Sequence, residues 1–167
     1  MEVERYMTPN PITVQPETSL RKTLELLQTH QIRHLPVVRG KKLVGIVTDR
    51  DLRQLLPSPL ATPEELERFG SDGARVKVRD IMTRRVFLVS PDTRTDKAAR
   101  LMVEHRIGCL PVLRGSTLVG IVTTVDLLRA ITGEVRSHPV PLETRSRRRK
   151  VLEDRRAPRG EIRTVNR

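Results

Sequence analysis

The sequence predicts an α/β (α+β) protein made of two β-α-β-β-α repeats that bury their sheet faces against each other. The first observation is an internal duplication: at an offset of 75 residues, Met7–Arg53 aligns with Met82–Leu128, and 22 of the 47 positions are identical. One structural unit therefore accounts for most of the chain. The second observation is a run of β-branched residues and leucine that passes directly into an apolar helical pattern, at Leu43–Leu52 and Leu118–Leu127. This pattern predicts a buried strand that turns at once into a helix.

Length and composition support this organisation. With 167 residues, the chain is long enough for one ordinary domain or for two small units that share a core. A copy of about 50 residues would be only marginally stable alone, so we expect the two copies to pack together. Two Phe, one Tyr and no Trp leave the core to Val, Ile, Leu and Met. The same shortage of aromatic rings argues against recognition of single-stranded nucleic acid by base stacking.

The elements of the first copy follow from local patterns. Leu20, Leu24 and Leu27 recur at i, i+4 and i+7, which gives the first helix one apolar stripe to pack on a sheet. After a Pro-rich entry segment we predict, in order, a strand at Ile12–Val14, a helix opened by Pro16–Ser19, a strand at Leu35–Val38, a hairpin turn at Arg39–Lys42, a strand at Leu43–Thr48 and a helix at Asp49–Leu56. These elements place the first repeat at residues 1–56.

The second copy repeats this order after a connector at residues 57–79. Thr62–Glu65 gives the connector one short acidic helix, with Thr at the N-cap, Pro at the first helical position and Glu at the third. The second repeat, residues 80–132, has predicted strands at Val86–Val89, Leu110–Leu113 and Leu118–Thr123, a helix through Ala98, Ala99, Met102 and Val103, and a last helix that runs to Thr132 and is capped by Gly133.

The C-terminal tail, residues 133–167, is read separately from the repeats. It has 11 Lys or Arg and 5 Asp or Glu, so it carries +6 of the chain's net charge of +12. It has little hydrophobic periodicity, and we predict that it is disordered. Two alternatives remain for the basic run Arg145–Lys150: a solvated end, or a contact with an acidic partner such as nucleic acid or anionic lipid.

Other features limit the compartment and the chemistry. The single Cys109 cannot form an internal disulfide, the first residues contain no apolar signal segment, and no apolar run approaches the roughly 20 residues of a membrane span. We therefore expect a cytoplasmic protein. The four His lack metal-ligand spacing, and no P-loop, nucleotide fingerprint or Gly-x-Ser-x-Gly occurs. We expect neither a catalytic nor a metal site.

A Thr-x-x-Asp motif stands at the predicted strand-to-helix junction of each copy, as Thr48 with Asp51 and as Thr123 with Asp126. One interpretation is a capping box, in which the Thr and Asp side chains satisfy each other's backbone N–H groups. The other is ligand binding, because a carboxylate beside the N–H groups of a helix N-terminus can accept hydrogen bonds from a diol such as ribose. The sequence alone leaves both open.

The motifs together resemble a pair of cystathionine-β-synthase-type (CBS) domains. The resemblance rests on an Ile-x-x-Leu-Pro-Val element at Ile32–Val37 and Ile107–Val112, and on the Gly-Ile-Val-Thr-x-x-Asp elements that follow. The resemblance covers Met7 to about Thr132. Within the family, the chain is most similar to stand-alone bacterial CBS proteins of the acetoin-utilisation type, without their extra C-terminal domain. It implies a pseudo-twofold module with two clefts for adenosine-containing ligands such as AMP, ADP, ATP or S-adenosylmethionine.

The resemblance also implies site residues. The Thr and Asp of both motifs, Thr48, Asp51, Thr123 and Asp126, would bind the ribose. Arg33 and His34 would bind phosphate, whereas the second copy has Gly108 and Cys109 at these positions, which predicts unequal sites. Side chains expected to line the clefts are Thr13, Pro36, Cys109 and Pro111.

The function implied is a non-catalytic regulatory module, with an adenine nucleotide as regulatory ligand and no obligatory cofactor, that controls a partner protein. Family members commonly form homodimers through the second helices of the repeats. The apolar candidates for this contact are Leu52, Leu55, Leu56, Leu127, Leu128 and Ile131. The alternative is that these side chains complete the hydrophobic core. A scaffold whose Arg-rich tail binds nucleic acid is the competing hypothesis.

Overall fold

The computed structural model describes residues 1–55 and 75–134. Its helices and strands repeat the order α-β-β-α in both copies, as the duplication predicts. In chain order they are a short 3-10 helix at Val3–Arg5, β1 at Thr8–Pro9, α1 at Leu20–His30, β2 at His34–Arg39, β3 at Lys42–Thr48, α2 at Asp49–Arg53, α3 at Val78–Ile81, α4 at Thr95–His105, β4 at Cys109–Arg114, β5 at Thr117–Thr123 and α5 at Thr124–Thr132. This confirms the predicted mixture of helices and strands, in which each copy contributes one long hairpin to a shared sheet.

The two hairpins join into one five-stranded sheet. β2 pairs antiparallel with β3, and β4 pairs antiparallel with β5 in the same register. The turns depend on Gly40 and Gly115, whose φ angles of 62° favour glycine. The hairpins meet where Lys42 pairs with Thr117. The sheet is therefore continuous across the two copies.

Three predicted elements differ in extent. The predicted strands at Ile12–Val14 and Val86–Val89 are reduced to single parallel bridges, Val14 to Val37 and Val89 to Val112. Pro16 and Pro91 lie two positions after the bridging residues Val14 and Val89. Because Pro has no backbone N–H to donate to the next bond of the ladder, each segment is limited to one bridging residue. The helix predicted at Asp49–Leu56 ends at Arg53, before Pro57, and Leu56 lies outside the described residues.

The entry segment of each copy packs on the other copy, which the sequence did not predict. β1 pairs with β5, so Thr8 of the first copy lies opposite Ile121 of the second. Reciprocally, Thr83 exchanges backbone hydrogen bonds of 3.0 and 2.9 Å with Ile46. The two copies therefore exchange their N-terminal segments.

The hydrophobic cores show the same exchange. Val3, fully buried, packs in a cluster with second-copy residues that include Leu110, Val112, Val122 and Leu127. Its equivalent, Val78, completes the first-copy cluster, which includes Leu27, Leu35, Val37, Val47 and Leu52. A third cluster of Ile46, Cys109 and Ile121 joins the two copies at the centre. Each small core thus depends on the other copy, which fits the marginal stability expected for one copy alone.

Candidate functional site

The first Thr-x-x-Asp motif lies where β3 ends and α2 begins. Thr48 is the N-cap of α2, and its hydroxyl oxygen accepts a hydrogen bond of 3.3 Å from the backbone N–H of Asp51. In return, Oδ2 of Asp51 accepts hydrogen bonds of 2.8 Å from both the backbone N–H and the hydroxyl of Thr48. The capping box is therefore present. It uses Oδ2 and leaves Oδ1 to other contacts, so capping and ligand binding are compatible at this carboxylate.

The second motif has the same capping box at the start of α5. Oδ2 of Asp126 accepts hydrogen bonds of 2.9 Å from the backbone N–H of Thr123 and 2.6 Å from its hydroxyl. The two motifs differ in what surrounds them. Asp126 is only 2% exposed, and its Oδ1 lies 3.4 Å from Nη1 of Arg129, whereas Asp51 is half-buried.

His34 stands beside the first motif. It is the first residue of β2 and lies opposite Thr48 in the β2–β3 register. Burial lowers the pKa of His34 below its ordinary value of 6.5; Asp49 and, more weakly, Asp51 oppose this shift, whereas Arg33 adds to it. The structure brings His34, Thr48 and Asp51 together at one end of the sheet.

The second copy contributes to the surroundings of His34. A β-carbon built on Gly108 would lie 3.3 Å from Nε2 of His34. Gly108 is the equivalent of Arg33 under the 75-residue offset. His34 is therefore placed between its own motif and the start of β4 in the other copy.

Arg33 precedes β2, and its backbone carbonyl accepts a hydrogen bond of 3.0 Å from the N–H of Asp49. Its side chain is exposed. In the second copy the carbonyl of Gly108 accepts the equivalent bond of 3.1 Å from Thr124. The backbone of Arg33 and His34 thus adjoins the Thr48–Asp51 motif of its own copy. The cleft that the Arg33 side chain serves stays a prediction.

The four residues predicted to line the clefts are mostly interior. Pro36 and Pro111 are fully buried, and their carbonyls accept hydrogen bonds from Val14 and Val89. Thr13 is half-buried. Cys109 is buried in the central cluster, and burial raises the pKa of its thiol to about 12. A cleft-lining role for these residues stays a prediction, and the high pKa of Cys109 argues against a reactive thiolate.

Two neighbours of the motifs, Asp49 and Arg129, were not predicted from the sequence. Asp49 makes an ion pair of 3.2 Å with Arg53, while its equivalent in the second copy is the uncharged Thr124. Arg129 lies on Asp126, while its equivalent is Gln54. A position-by-position comparison of the two copies outside their identical residues would have revealed both differences.

The candidate dimer residues divide into two groups. Leu52 and Leu127 are buried and belong to the two cores. Leu55, Leu128 and Ile131 are 40%, 56% and 79% exposed. Leu56 and the basic run Arg145–Lys150 lie outside the described residues. Among the candidates within residues 1–55 and 75–134, the exposed group is the one available for contact with another molecule.

The described ranges, 1–55 and 75–134, contain neither a helix suited to a membrane span nor a metal-binding group of side chains. No helix in this part of the chain is long and apolar enough to cross a membrane. Within the same ranges, no three side chains of His, Cys, Asp or Glu come together in a group that could hold a metal ion.

A depression of about 410 Å³ lies on the second copy, away from both motifs. It is open, and its lining is mainly aliphatic and hydroxylic: Leu88, Val89, Ser90, Thr93, Lys97, Leu101, Leu113 and Gly115. It contains none of the residues predicted to contact a ligand. The two Thr-x-x-Asp motifs, predicted to bind the ribose, lie instead at the ends of β3 and β5.

Solved structures share this fold and, in two cases, hold adenosine compounds. CBSX2 in complex with AMP is 34% identical with a TM-score of 0.65, covering 79% of this chain and 96% of CBSX2. The CBS domain pair of protein MJ0100, in complex with 5′-methylthioadenosine and S-adenosyl-L-methionine, is 29% identical with a TM-score of 0.64, covering 80% of this chain and 97% of that one. A Vibrio cholerae protein named for acetoin utilization, AcuB, is 28% identical with a TM-score of 0.64, covering 95% and 98%.

Sequence relatives include stand-alone proteins and enzymes. The uncharacterized protein MJ1426 of Methanocaldococcus jannaschii is 35% identical over 144 residues, which is 72% of this chain and 86% of the relative. Inosine-5′-monophosphate dehydrogenase of Korarchaeum cryptofilum is 34% identical over 125 residues, and this chain spans only 23% of that enzyme's length.

The family assignment rests on both copies. The CBS domain model matches residues 3–58 and 78–133, and each match contains one complete Thr-x-x-Asp motif. These matches account for more than half of the chain and confirm the resemblance found in the sequence. This protein belongs to the CBS domain family, of which it carries a tandem pair.

Proposed function

We propose that this protein is a non-catalytic regulatory module that binds an adenosine-containing ligand beside the first Thr-x-x-Asp motif. Asp51 and Thr48 bind the ribose hydroxyls, and Arg33 and His34 bind phosphate when the ligand has one. The observation that carries the proposal is the convergence of His34, Thr48 and Asp51 at the junction of β2, β3 and α2.

The chemistry of this junction suits a nucleotide. In the capping box Asp51 uses Oδ2, and Oδ1 has no hydrogen-bond partner among the described residues, so it can accept from a ribose diol. A ribose hydroxyl bound to a carboxylate makes a charge-assisted hydrogen bond, which is stronger than a neutral one. Arg33 brings a fixed positive charge, and His34 gains one on protonation. The site therefore has an acceptor for ribose and donors for phosphate.

The AMP of CBSX2 and the two adenosine compounds of the MJ0100 pair support this class of ligand. The dehydrogenase relative does not support catalysis here, because the chain spans less than a quarter of that enzyme. In our proposal the module regulates a partner protein, and binding acts because the ligand prefers one arrangement of the repeats.

A homodimer in the cytoplasm is part of the proposal. Leu128 and Ile131 project from α5 with most of their surface exposed, and Leu55 follows α2. Apolar residues grouped on the second helices of both copies would be covered by a second chain. The molar mass in solution, measured by light scattering for the protein and for Leu128→Glu, tests this part.

A thermal-shift panel with AMP, ATP and S-adenosylmethionine tests the proposed function. A ligand at 100 times its Kd stabilises the folded state by about 2.7 kcal/mol, so at least one of the three should raise the melting temperature. Inosine monophosphate and ribose 5-phosphate serve as matched controls for the adenine ring. No shift with any adenosine compound at millimolar concentration would reject the proposal.

A further inference from the structure

We propose, on the basis of the proposed function, that Arg129 prevents ribose binding at the second motif, so that each chain binds one ligand, at Asp51. Each capping box uses Oδ2 of its Asp and leaves Oδ1 outside the box. In the second copy this oxygen is held by a guanidinium, and in the first copy it is not.

Both oxygens of Asp126 already have partners. Oδ2 accepts from the backbone N–H and hydroxyl of Thr123, and Oδ1 faces Nη1 of Arg129 at 3.4 Å. Asp126 is 2% exposed, while the side chain of Arg129 is 38% exposed. A ribose diol that binds Oδ1 therefore has to compete with this guanidinium. Displacing it separates an ion pair whose carboxylate is buried, and a buried carboxylate that loses its cation is strongly destabilised.

Asp51 has no such neighbour. Its carboxylate is half-buried, and no cation lies within 4 Å of it among the described residues. The position three residues on is Gln54, the uncharged equivalent of Arg129. Gln54 has helical φ and ψ angles of −66° and −20°, so a longer cationic side chain there would lie beside Asp51 as Arg129 lies beside Asp126.

The rest of the second site agrees with this difference. Gly108 and Cys109 replace Arg33 and His34, so no cation from this strand serves a phosphate. The hydroxyl of Thr124 instead donates to the carbonyl of Gly108 at 3.3 Å. The polar groups around the second motif are thus bonded to other groups of the protein.

Calorimetric titration with AMP of the full chain and of single variants tests this inference. The unmodified chain should bind one AMP per chain. Arg129→Gln, which copies the first motif, should bind two, and Arg129→Lys, which keeps the charge, should still bind one. Gln54→Arg should weaken the first site roughly tenfold or more, because it competes with the ribose for the carboxylate.

Two AMP per chain in the unmodified protein would overturn the inference while supporting the proposed function. So would a loss of binding in Arg129→Gln, which would show that this arginine binds ligand. If neither the unmodified chain nor Arg129→Gln binds AMP, adenosine or S-adenosylmethionine, the proposed function itself fails, and the inference fails with it. Circular dichroism and the melting temperature of each variant identify any that do not fold.

Discussion

Nε2 of His34 lies 3.3 Å from the position that a β-carbon on Gly108 would take, so the imidazole of one copy occupies the space left by glycine in the other. At the 75-residue offset Gly108 is equivalent to Arg33, and His34 is equivalent to Cys109. The two copies therefore differ at both of the positions that face each other here. A larger side chain at position 108 would have to displace the imidazole. The missing side chain in the second copy therefore leaves room for the imidazole in its present position.

Replacing Gly108 by Leu should weaken AMP binding about as much as replacing His34 by Ala. The leucine moves the imidazole away from Thr48 and Asp51, and a lost charge-assisted hydrogen bond corresponds to roughly 10- to 150-fold in affinity. The double variant should show no further loss when measured by calorimetric titration. Gly108→Ala is the matched control, since its neighbour needs to move by only a few tenths of an ångström. Additive losses in the double variant would contradict the contact.

The affinity for AMP should increase as the pH is lowered from about 7.5 to 6. Because burial lowers the pKa of His34, the imidazole is neutral at neutral pH in the ligand-free protein, and a bound phosphate favours its protonation. Adenosine, without a phosphate, should show no such trend, and His34→Gln should remove it for AMP. The window ends near pH 6, where a phosphate monoester takes up its own proton. An unchanged AMP profile in His34→Gln would contradict the role of His34.

The same pKa predicts a change in stability. Since the folded-state pKa of His34 is below its ordinary value of 6.5, the unfolded chain binds more protons in this range. The contribution of His34 to the free energy of unfolding is therefore fully present above about pH 6.5, and it decreases as the pH falls through this value. Urea unfolding between pH 7.5 and 5.5 should show a smaller decrease for His34→Gln than for the unmodified chain. Equal decreases would show that His34 is not the group responsible.

Gly45→Ala should be more destabilising than Gly120→Ala, although the two glycines are equivalent. A β-carbon on Gly45 would lie 2.8 Å from the backbone oxygen of Thr83, whereas on Gly120 the equivalent oxygen of Thr8 is 3.2 Å away and the shortest contact is to the flexible side chain of Met7. Overpacking typically costs about 1–3 kcal/mol.

Urea unfolding of the variants measures the difference in unfolding free energy. Met7→Ala should relieve most of the cost of Gly120→Ala, whereas Met82→Ala should leave most of the cost of Gly45→Ala, because a backbone contact remains. Equal costs and equal relief in the two copies would mean that the exchanged entry segments adapt equally well to an added methyl group.

The sequence was sufficient for the repeat and the hairpins, and it offered the capping box as one of two interpretations, because each of these is a local pattern. The runs Leu43–Thr48 and Leu118–Thr123, the glycines of the turns and the Thr-x-x-Asp spacing all act within a few residues. The exchange of entry segments is different. It depends on which of two nearly identical cores receives Val3 and Val78, and no local preference distinguishes them.

The candidate site was only partly predictable for a related reason. The resemblance indicated Thr48, Asp51, Arg33 and His34, yet the effect of Arg129 depends on the distance between two side chains of opposite charge. The position of Gly108 against His34 depends on how the copies face each other. Relationships of this kind follow from tertiary packing.

Calorimetric titration of Asp51→Asn and Asp51→Ala with AMP tests the central claim, ribose binding at the first motif, most directly. Asparagine keeps an oxygen for the cap and removes the charge, while alanine also removes the cap, at about 0.5–2 kcal/mol of fold stability. For protein that remains folded, we expect both variants to lose roughly 10- to 150-fold in affinity, from the loss of hydrogen bonds to a charged acceptor. A dissociation constant equal to that of the unmodified chain in both variants would contradict the claim and leave Asp51 a helix cap alone.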